Sequence, residues 1–318
     1  METKKVNEFK AGDKVQGFYL IKSIECRTSS NGKKYLDINI CDKSGEINAK
    51  YWDYHEGDEE KYLLNNIIKV RGCVNEWQGN LQFRIDKIRC VNEEDGVTLS
   101  DYVPSAPYAP CDMYNLILKF IDKIKNSEIK AIVSLVVKDN EDKLMYYPAA
   151  KKNHHAVMGG LLYHTTNMLK AGEKMCEIYT FLNTDLLYAG IILHDMAKTR
   201  EMDSSTLGIV SDYTPEGQLL GHITEGVKLI ENAAEKTGAS NEVTMLLQHM
   251  VLSHHYEPEY GSPVKPMIPE AELLHYLDII DARLYDMKKA SSETEKGKFS
   301  ERIWSLENRK VYKLRLDE

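Results

Sequence analysis

The segment Leu186-Leu187-Tyr188-Ala189-Gly190-Ile191-Ile192-Leu193 is apolar on every side and runs directly into His194-Asp195-Met196-Ala197-Lys198. A helix that is apolar all round belongs in a core. The imidazole, carboxylate and ammonium at its end are thus carried to a place where charge is costly unless paired or bound to a metal. His194 and Asp195 are adjacent, so on a helix they diverge by about 100°, yet both can reach one ion lying beside the helix. Lys198 stands one turn beyond His194 on the same face, in position to meet an anion bound to that ion. Taken alone, a His-Asp pair reads more often as a capped core histidine.

The other histidines shift the balance. The chain has ten, and nine of them (His154, His155, His164, His194, His222, His249, His254, His255 and His275) fall between residues 154 and 275. Several sit in apolar helical surroundings. His164 to His194, Asp195 to His222, His222 to His254 and His254 to Asp278 are each separated by about one helix hairpin. His and Asp recurring at that interval can converge on one point in a helical bundle, and together they suit a first-row divalent metal.

His164, then His194-Asp195, then Asp278 resembles the HD-domain superfamily of metal-dependent phosphohydrolases, and the additional His222 and His254-His255 resemble its two-metal branch. Five blocks in order, HHAVMGGLLYHTTNML, DLLYAGIILHDMAKTREM, LLGHITEG, LQHMVLSHHYEPEYGSP and EAELLHYLDIIDAR, are similar to the YhaM-type 3′-5′ exoribonucleases, which pair an N-terminal OB-fold with a C-terminal HD domain. The resemblance implies an α+β multidomain chain: a five-stranded OB-fold β-barrel over residues 1–92, a linker over 93–112, and an all-α HD bundle over 113–318 with its core at about 154–290.

Composition sets the outer bounds. At 318 residues, with 42% hydrophobic and 28% charged residues, the chain is long enough for two domains. No apolar run approaches the 18 or more residues of a membrane span. The N-terminus lacks an apolar signal region, so a cytoplasmic protein is expected. The six cysteines form no CxxC pair, which argues against a zinc-thiolate or disulfide framework. The net charge of −8 speaks mildly against a nucleic-acid partner, but it is unevenly spread. Residues 1–92 carry 16 Lys+Arg against 14 Asp+Glu, and the remainder 25 against 35. The acidic part is the part expected to hold cations.

Residues 13–91 read as five short strands, rich in Val, Ile, Tyr, Phe and Cys. Turn signals interrupt them at Ser30-Asn31-Gly32, Lys43-Ser44-Gly45 and Gln78-Gly79-Asn80. This suits a small closed barrel, with YHEGDEEKYLLNN as the helix between the third and fourth strands. Such a barrel binds single strands by stacking bases on exposed aromatics beside basic residues. The candidates are Tyr35, Trp52, Trp77 and Phe83, with Lys33, Lys34, Arg71 and Arg84; for each aromatic a place in the barrel core is the alternative.

Helical patterning resumes at Met113 and continues to about residue 290, with a loop, YYPAAKKNHH, in which Lys151-Lys152 and His154-His155 are placed to line a site entrance or to form a plain surface loop. Gly159-Gly160 allows close backbone approach. SSTLGIVSDYTPEGQLLGH is expected as a loop over the site, and the C-terminal tail as a closing helix with an extended end.

The resemblance implies the ligand set. One ion would take His164, His194, Asp195 and Asp278. A second, bridged by Asp195, would take His222 and His254. Two such ions activate water for phosphoryl displacement. Manganese is the expected metal; Mg, Co, Fe and Zn stay open. Asp195, Lys198 and His255 are the expected catalytic residues, with His249 beside His255 as a proton-transfer or ligand-supporting group. Asp281 is expected to orient a ligand, and His275 to pack. The implied activity is metal-dependent 3′-5′ hydrolysis of single-stranded RNA, with single-stranded DNA as a second partner and homo-oligomerisation left open. The alternatives are a phosphohydrolase acting on small nucleotides, and a non-enzymatic single-strand or DNA-binding protein with a structural metal. Relatives that cleave cyclic dinucleotides place a glutamate one turn before the first histidine; Gly160 stands there in this chain.

Overall fold

A computed structural model describes residues 4–97, 101–151 and 154–316. The chain divides into two compact units, Met1–Pro104 and Ser105–Glu318.

The first unit is a closed barrel of five strands: β1 (Lys14–Thr28), β2 (Lys34–Asp42), β3 (Gly45–Tyr51), β4 (Ile67–Trp77) and β5 (Asn80–Cys90), in the order β1-β2-β3-β5-β4. A short helix, α1 (Asp58–Lys61), joins β3 to β4, as the OB-fold reading expects. Alternation along β2 sends Leu36, Ile38 and Ile40 inward, where they meet Tyr19, Ala49, Val70, Phe83 and Ile85. At Gly72, where the β4–β5 register shifts, a β-carbon would lie 2.0 Å from the Arg84 carbonyl oxygen; only glycine lets the strands close there. The expected linker is not one uniform stretch. Asp95 folds back to the barrel to pair with Arg89 at 2.6 Å, and a helix already begins at Pro110.

The second unit is helical. Its elements are α2 (Pro110–Lys123), α3 (Ser127–Asp139), α4 (Glu141–Leu144), α5 (Gly160–Ile178), α6 (Thr184–Leu193), α7 (Lys198–Glu201), α8 (Pro215–Thr237), α9 (Asn241–Ser253) and α10 (Pro269–Ser292). The apolar segment that opened the sequence is α6, and Leu186 through Leu193 are all buried. Asn183 caps it by accepting from the amides of Asp185 and Leu186. α2, α3, α5, α9 and α10 pack around it, which is why no face of it is polar. Gly190 marks the closest approach: a β-carbon there would lie 2.2 Å from Met250 Cε on α9. The hydrophobic core starts at Met113, well before residue 154.

Two expectations change. The stretch after α7 is not a plain loop but a hairpin of β6 (Met202–Ser204) and β7 (Val210–Tyr213). The tail forms no closing α-helix; it folds back through isolated bridges, Phe299 to Tyr312 and Ile303 to Arg309, around a 3-10 turn at Trp304–Leu306. Alternating charge without an apolar stripe gives a helix nothing to bury. Lys152 lies outside the described residues. Among the described residues, no helix is long and apolar enough to cross a membrane.

Gly160 opens α5 where a β-carbon would stand 1.9 Å from the His155 carbonyl oxygen. Overpacking of this kind costs about 1–3 kcal/mol, so Gly160→Ala should lower the thermal midpoint by a few degrees. A calorimetric transition superimposable on that of the parent chain would refute this account of the turn.

Candidate metal centre

Helix ends bring the imidazoles together. His194 follows the last residue of α6 and His254 the last of α9. Each ring donates its Nδ1 proton to the carbonyl three residues back, His194 to Ile191 at 2.8 Å and His254 to Val251 at 2.6 Å. These carbonyls are among the orphan acceptors of a helix C-terminus. The bond fixes the tautomer and leaves Nε2 as a lone pair. His222 reaches the same state differently. α8 breaks at Gly221, whose φ is 69°, and His222 begins the second part. Its backbone N–H and its Nδ1 both donate to Glu201 Oε1, each at 3.0 Å. His164, on α5, donates from Nδ1 to Asp281 Oδ2 at 2.7 Å, and His255 to the Tyr260 carbonyl at 2.6 Å.

Asp195 lies among these lone pairs and is 2% exposed. Its Oδ2 stands 3.4 Å from His194 Nε2 and 3.9 Å from His164 Nε2. Its Oδ1 stands 3.6 Å from His222 Nε2 and 3.9 Å from His254 Nε2. Asp278 Oδ1 is 3.3 Å from His164 Nε2, and Lys198 Nζ is 2.7 Å from Asp195 Oδ2. Asp195 Oδ1, His222 Nε2 and His254 Nε2 are buried without any hydrogen-bond partner. Buried polar atoms are rarely left so. Here the orphans are ligand-type atoms, and among the described residues three groups of side chains can each surround a cation: His164, His194 and Asp195; Asp195, His222, His254 and His255; and His155, His164 and Asp281.

The electrostatics agree with a cation site. Burial, then neighbouring imidazoles, hold His254 well below the ordinary histidine range; burial and His222 lower His255. Burial opposes charge on Asp195, yet Lys198 and His194 keep it well below the carboxylate range. His164 is the exception: burial disfavours its charge, but hydrogen bonds to Asp278 and Asp281 outweigh burial and push it up to about 10. Asp281 also accepts from His155 Nε2 at 2.7 Å and Asn167 Nδ2 at 3.0 Å. Three donors thus converge on Asp281, two of them imidazoles whose rings it orients.

The remaining histidines divide. His154 lies with its ring 6.1 Å from that of His164, and burial, with Lys198 and His164 nearby, lowers it to about 4. His275 packs on Tyr256 and donates to the His254 carbonyl at 2.8 Å. His249, expected beside His255, instead accepts the Met267 amide at 2.9 Å and joins none of the cation-holding groups.

On the barrel, Tyr35 and Trp52 stack at 4.3 Å and 26°, with Lys50 over Tyr35. They share the outer wall of β2, β3 and β5 with Arg84, which pairs in register with Lys50. A row of amides crosses this wall: Gln82 Nε2 donates to Asn48 Oδ1 at 3.0 Å, and Asn48 Nδ2 to Asp37 at 2.7 Å and Asn39 at 3.1 Å. Asp37 also pairs with Lys50 at 2.5 Å and Arg27 at 3.1 Å. Lys33 and Lys34 are exposed at the β1–β2 turn, and Trp77, 64% exposed, at the β4–β5 turn. Arg71 is exposed on β4, which pairs with neither β2 nor β3, so it stands on another wall. Phe83 is a correction. It is fully buried against Phe9, because the inward register of β5 makes it core, and no base can stack on it.

The described OB-fold nucleic acid binding domain family matches residues 20–91, and the HD domain family residues 161–283. The 3′-5′ exoribonuclease YhaM of Geobacillus sp. (strain WCH70) is 42% identical over 310 residues, spanning 98% of this chain and 95% of its own. That of Bacillus subtilis (strain 168) is 41% identical over 302 residues, 95% of each. The chain belongs to the YhaM family of 3′-5′ exoribonucleases. It therefore pairs an OB-fold barrel with an HD domain, a class of metal-dependent phosphohydrolases.

In this YhaM-family chain, sequence reading missed Glu201, Asn167, Lys50 and the amide row. Glu201 carries no motif signal; it lies 21 residues before its partner His222. His255, expected as a catalytic residue, also stands with Asp195, His222 and His254 in one group able to surround a cation.

Asp195→Asn keeps the side-chain size but removes charge and one strong ligand oxygen. It should abolish retention of at least one cation per chain, measured by elemental analysis after gel filtration, with folding unchanged by circular dichroism. Glu201→Gln should weaken cation affinity about 10–100-fold, the usual effect of removing a ligand's outer partner, read by titration calorimetry. Parental metal affinity in both variants would exclude the two-ion reading.

Proposed function

We propose that this chain is a 3′-5′ exoribonuclease that hydrolyses single-stranded RNA at a two-cation centre formed by His164, His194, Asp195, His222, His254 and Asp278. The observation that carries the reading is Asp195, a buried carboxylate with one oxygen toward His164 and His194 and the other toward His222 and His254. Imidazole with carboxylate suits Mn, Fe, Co or Zn better than Mg, and manganese is our assignment. Bound there, divalent cations supply the Lewis acidity and the acidified water that phosphodiester hydrolysis requires.

The chain's own residues do the rest. The Nδ1 tethers of His194, His222, His254 and His255 turn each ring so that Nε2 is the free ligand atom. The Asp195 carboxylate, flanked by both sets, draws them to one charge centre. Lys198, now paired with Asp195, offers its ammonium to a non-bridging phosphate oxygen when the carboxylate is engaged elsewhere. His255, with Nδ1 fixed on Tyr260, serves either as a further ligand or as a proton carrier. On the barrel, Trp52 and Tyr35 give a base a stacking surface, and Arg84, Lys33, Lys34 and the exposed Trp77 extend it. Stacking and phosphate contacts do not demand a 2′-hydroxyl, so single-stranded DNA is a secondary substrate on this reading. On this reading the chain works in the cytoplasm.

The test is a time course with 5′-labelled single-stranded RNA and Mn²⁺. A ladder shortening one nucleotide at a time, stopped by EDTA, is expected; endonucleolytic fragments or undiminished cleavage in EDTA would refute the proposal. Trp52→Ala should weaken RNA binding by about 1–3 kcal/mol, the worth of one stacked base, in a fluorescence anisotropy titration. Unchanged affinity would move the platform away from the β2–β3 wall.

A further inference from the structure

The loop before α5 carries a backbone conformation that needs explaining. His155 has a φ of 52°, the left-handed region that residues with a β-carbon rarely occupy. Such conformations persist where the surroundings over-determine them, and they gather at functional sites. The surroundings here are specific. The His155 ring is fully buried and lies 4.0 Å from the Tyr285 ring. Its Nε2 donates to Asp281 Oδ2, the oxygen that also holds His164. Its carbonyl accepts the Ala149 amide at 3.1 Å, and Gly160 leaves room for it. His155 therefore ties the loop to α10 and to Asp281, the orienting partner of His164.

What this tie holds in place is His154. Its ring lies within 6.2 Å of both the His155 and His164 rings. Every other histidine from 155 to 275 has a ring nitrogen in a hydrogen bond. Among the described residues His154 makes none, and it is half-buried rather than enclosed. Lys198 is near enough for its charge to act on the ring. An untethered imidazole 6.1 Å from the His164 ring, at the edge of a cluster built for cations, suits a phosphate with non-bridging oxygens to accept its N–H.

We propose that His154 donates a ring N–H to a non-bridging oxygen of the phosphodiester being cleaved, and that the His155–Asp281 bond is the positioning device. This rests on reading the cluster as a hydrolytic centre. It assigns His154 a role distinct from the metal ligands, and it makes the loop part of the substrate site.

The test uses the full-length, Mn²⁺-loaded chain with two esters, single-stranded RNA and bis(p-nitrophenyl) phosphate. His154→Ala should lower kcat on both by about 10²-fold, the worth of one oxyanion donor, with the manganese-to-protein ratio and the RNA dissociation constant unchanged. His154→Asn, which restores an N–H donor, should recover part of the loss. His155→Phe keeps an aromatic ring against Tyr285 but removes the bond to Asp281, and should lower kcat in the same direction. Cleavage of the small ester but not of RNA by the parent chain would refute the exoribonuclease reading, while a His154→Ala effect on that ester would still support this one. His154→Ala with parental kcat on both esters would overturn the proposal. So would a loss of manganese in step with the loss of rate, which would make His154 a ligand.

Discussion

The second unit depends on a carboxylate that cannot be left as it stands. Asp195 is enclosed at the end of the most apolar helix in the chain, where an uncompensated charge would cost several kcal/mol. One ammonium group, Lys198, meets one of its oxygens, while the other faces only imidazole nitrogens that have no proton to give. Those nitrogens are acceptors because their ring partners are spent on Ile191, Val251 and Glu201. An acceptor surrounded by acceptors is unfavourable unless a cation lies between them. The arrangement is thus specified by hydrogen bonds one bond removed from the centre, and a change at Glu201 acts through the imidazole it holds.

Residues 1–92 carry 16 Lys+Arg against 14 Asp+Glu, and the remainder 25 against 35. The remainder is acidic, and its carboxylates are gathered where cations belong. Residues 1–92 have a small excess of basic residues, but these cations are not all aimed at solvent: Lys50 on β3 and Arg27 on β1 converge on Asp37. Neutralised in this way, they contribute less to sequence-independent phosphate attraction than their number suggests. What the β2–β3–β5 wall offers instead is the Tyr35–Trp52 stack and the free ends of the Gln82–Asn48–Asn39 row, groups that engage bases rather than phosphates.

Much of this was legible in the sequence because its signals are local or periodic. The all-apolar run from Leu186 to Leu193 announced a buried helix, and the turn signals around Gly32, Gly45 and Gly79 separated the barrel strands. The histidine intervals pointed to residues that do converge. What stayed hidden depends on register and on distant partners. Phe83 looks like Trp52 in sequence, yet one place along an alternating strand separates core from surface. Glu201 acts through hydrogen bonds to His222, 21 residues further along the chain, which no pattern encodes. Within the stretch expected as linker, Asp95 pairs backward with Arg89, a contact that acidic, irregular sequence does not announce. Pro110, which reads as a breaker, starts a helix because the first turn needs no N–H from it.

The backbone itself adds to the preference for a cation. α6 and α9 both end at the centre, each capped by one of its histidines. A helix C-terminus carries roughly half a negative charge from its unpaired carbonyls, so two such ends facing one point favour positive charge there before any side chain is counted. The same carbonyls orient the rings. If His194 or His254 stood one turn earlier, its Nδ1 would find carbonyls already used within the helix, and its tautomer would be free to change. The placement of these histidines just beyond the last helical residue therefore serves three ends at once: it satisfies an orphan acceptor, fixes a lone pair, and sets the ring in the field that a cation prefers. This is a physical reason for the run of apolar residues to stop where it does, with His194 and Asp195 as the first groups past the helix end.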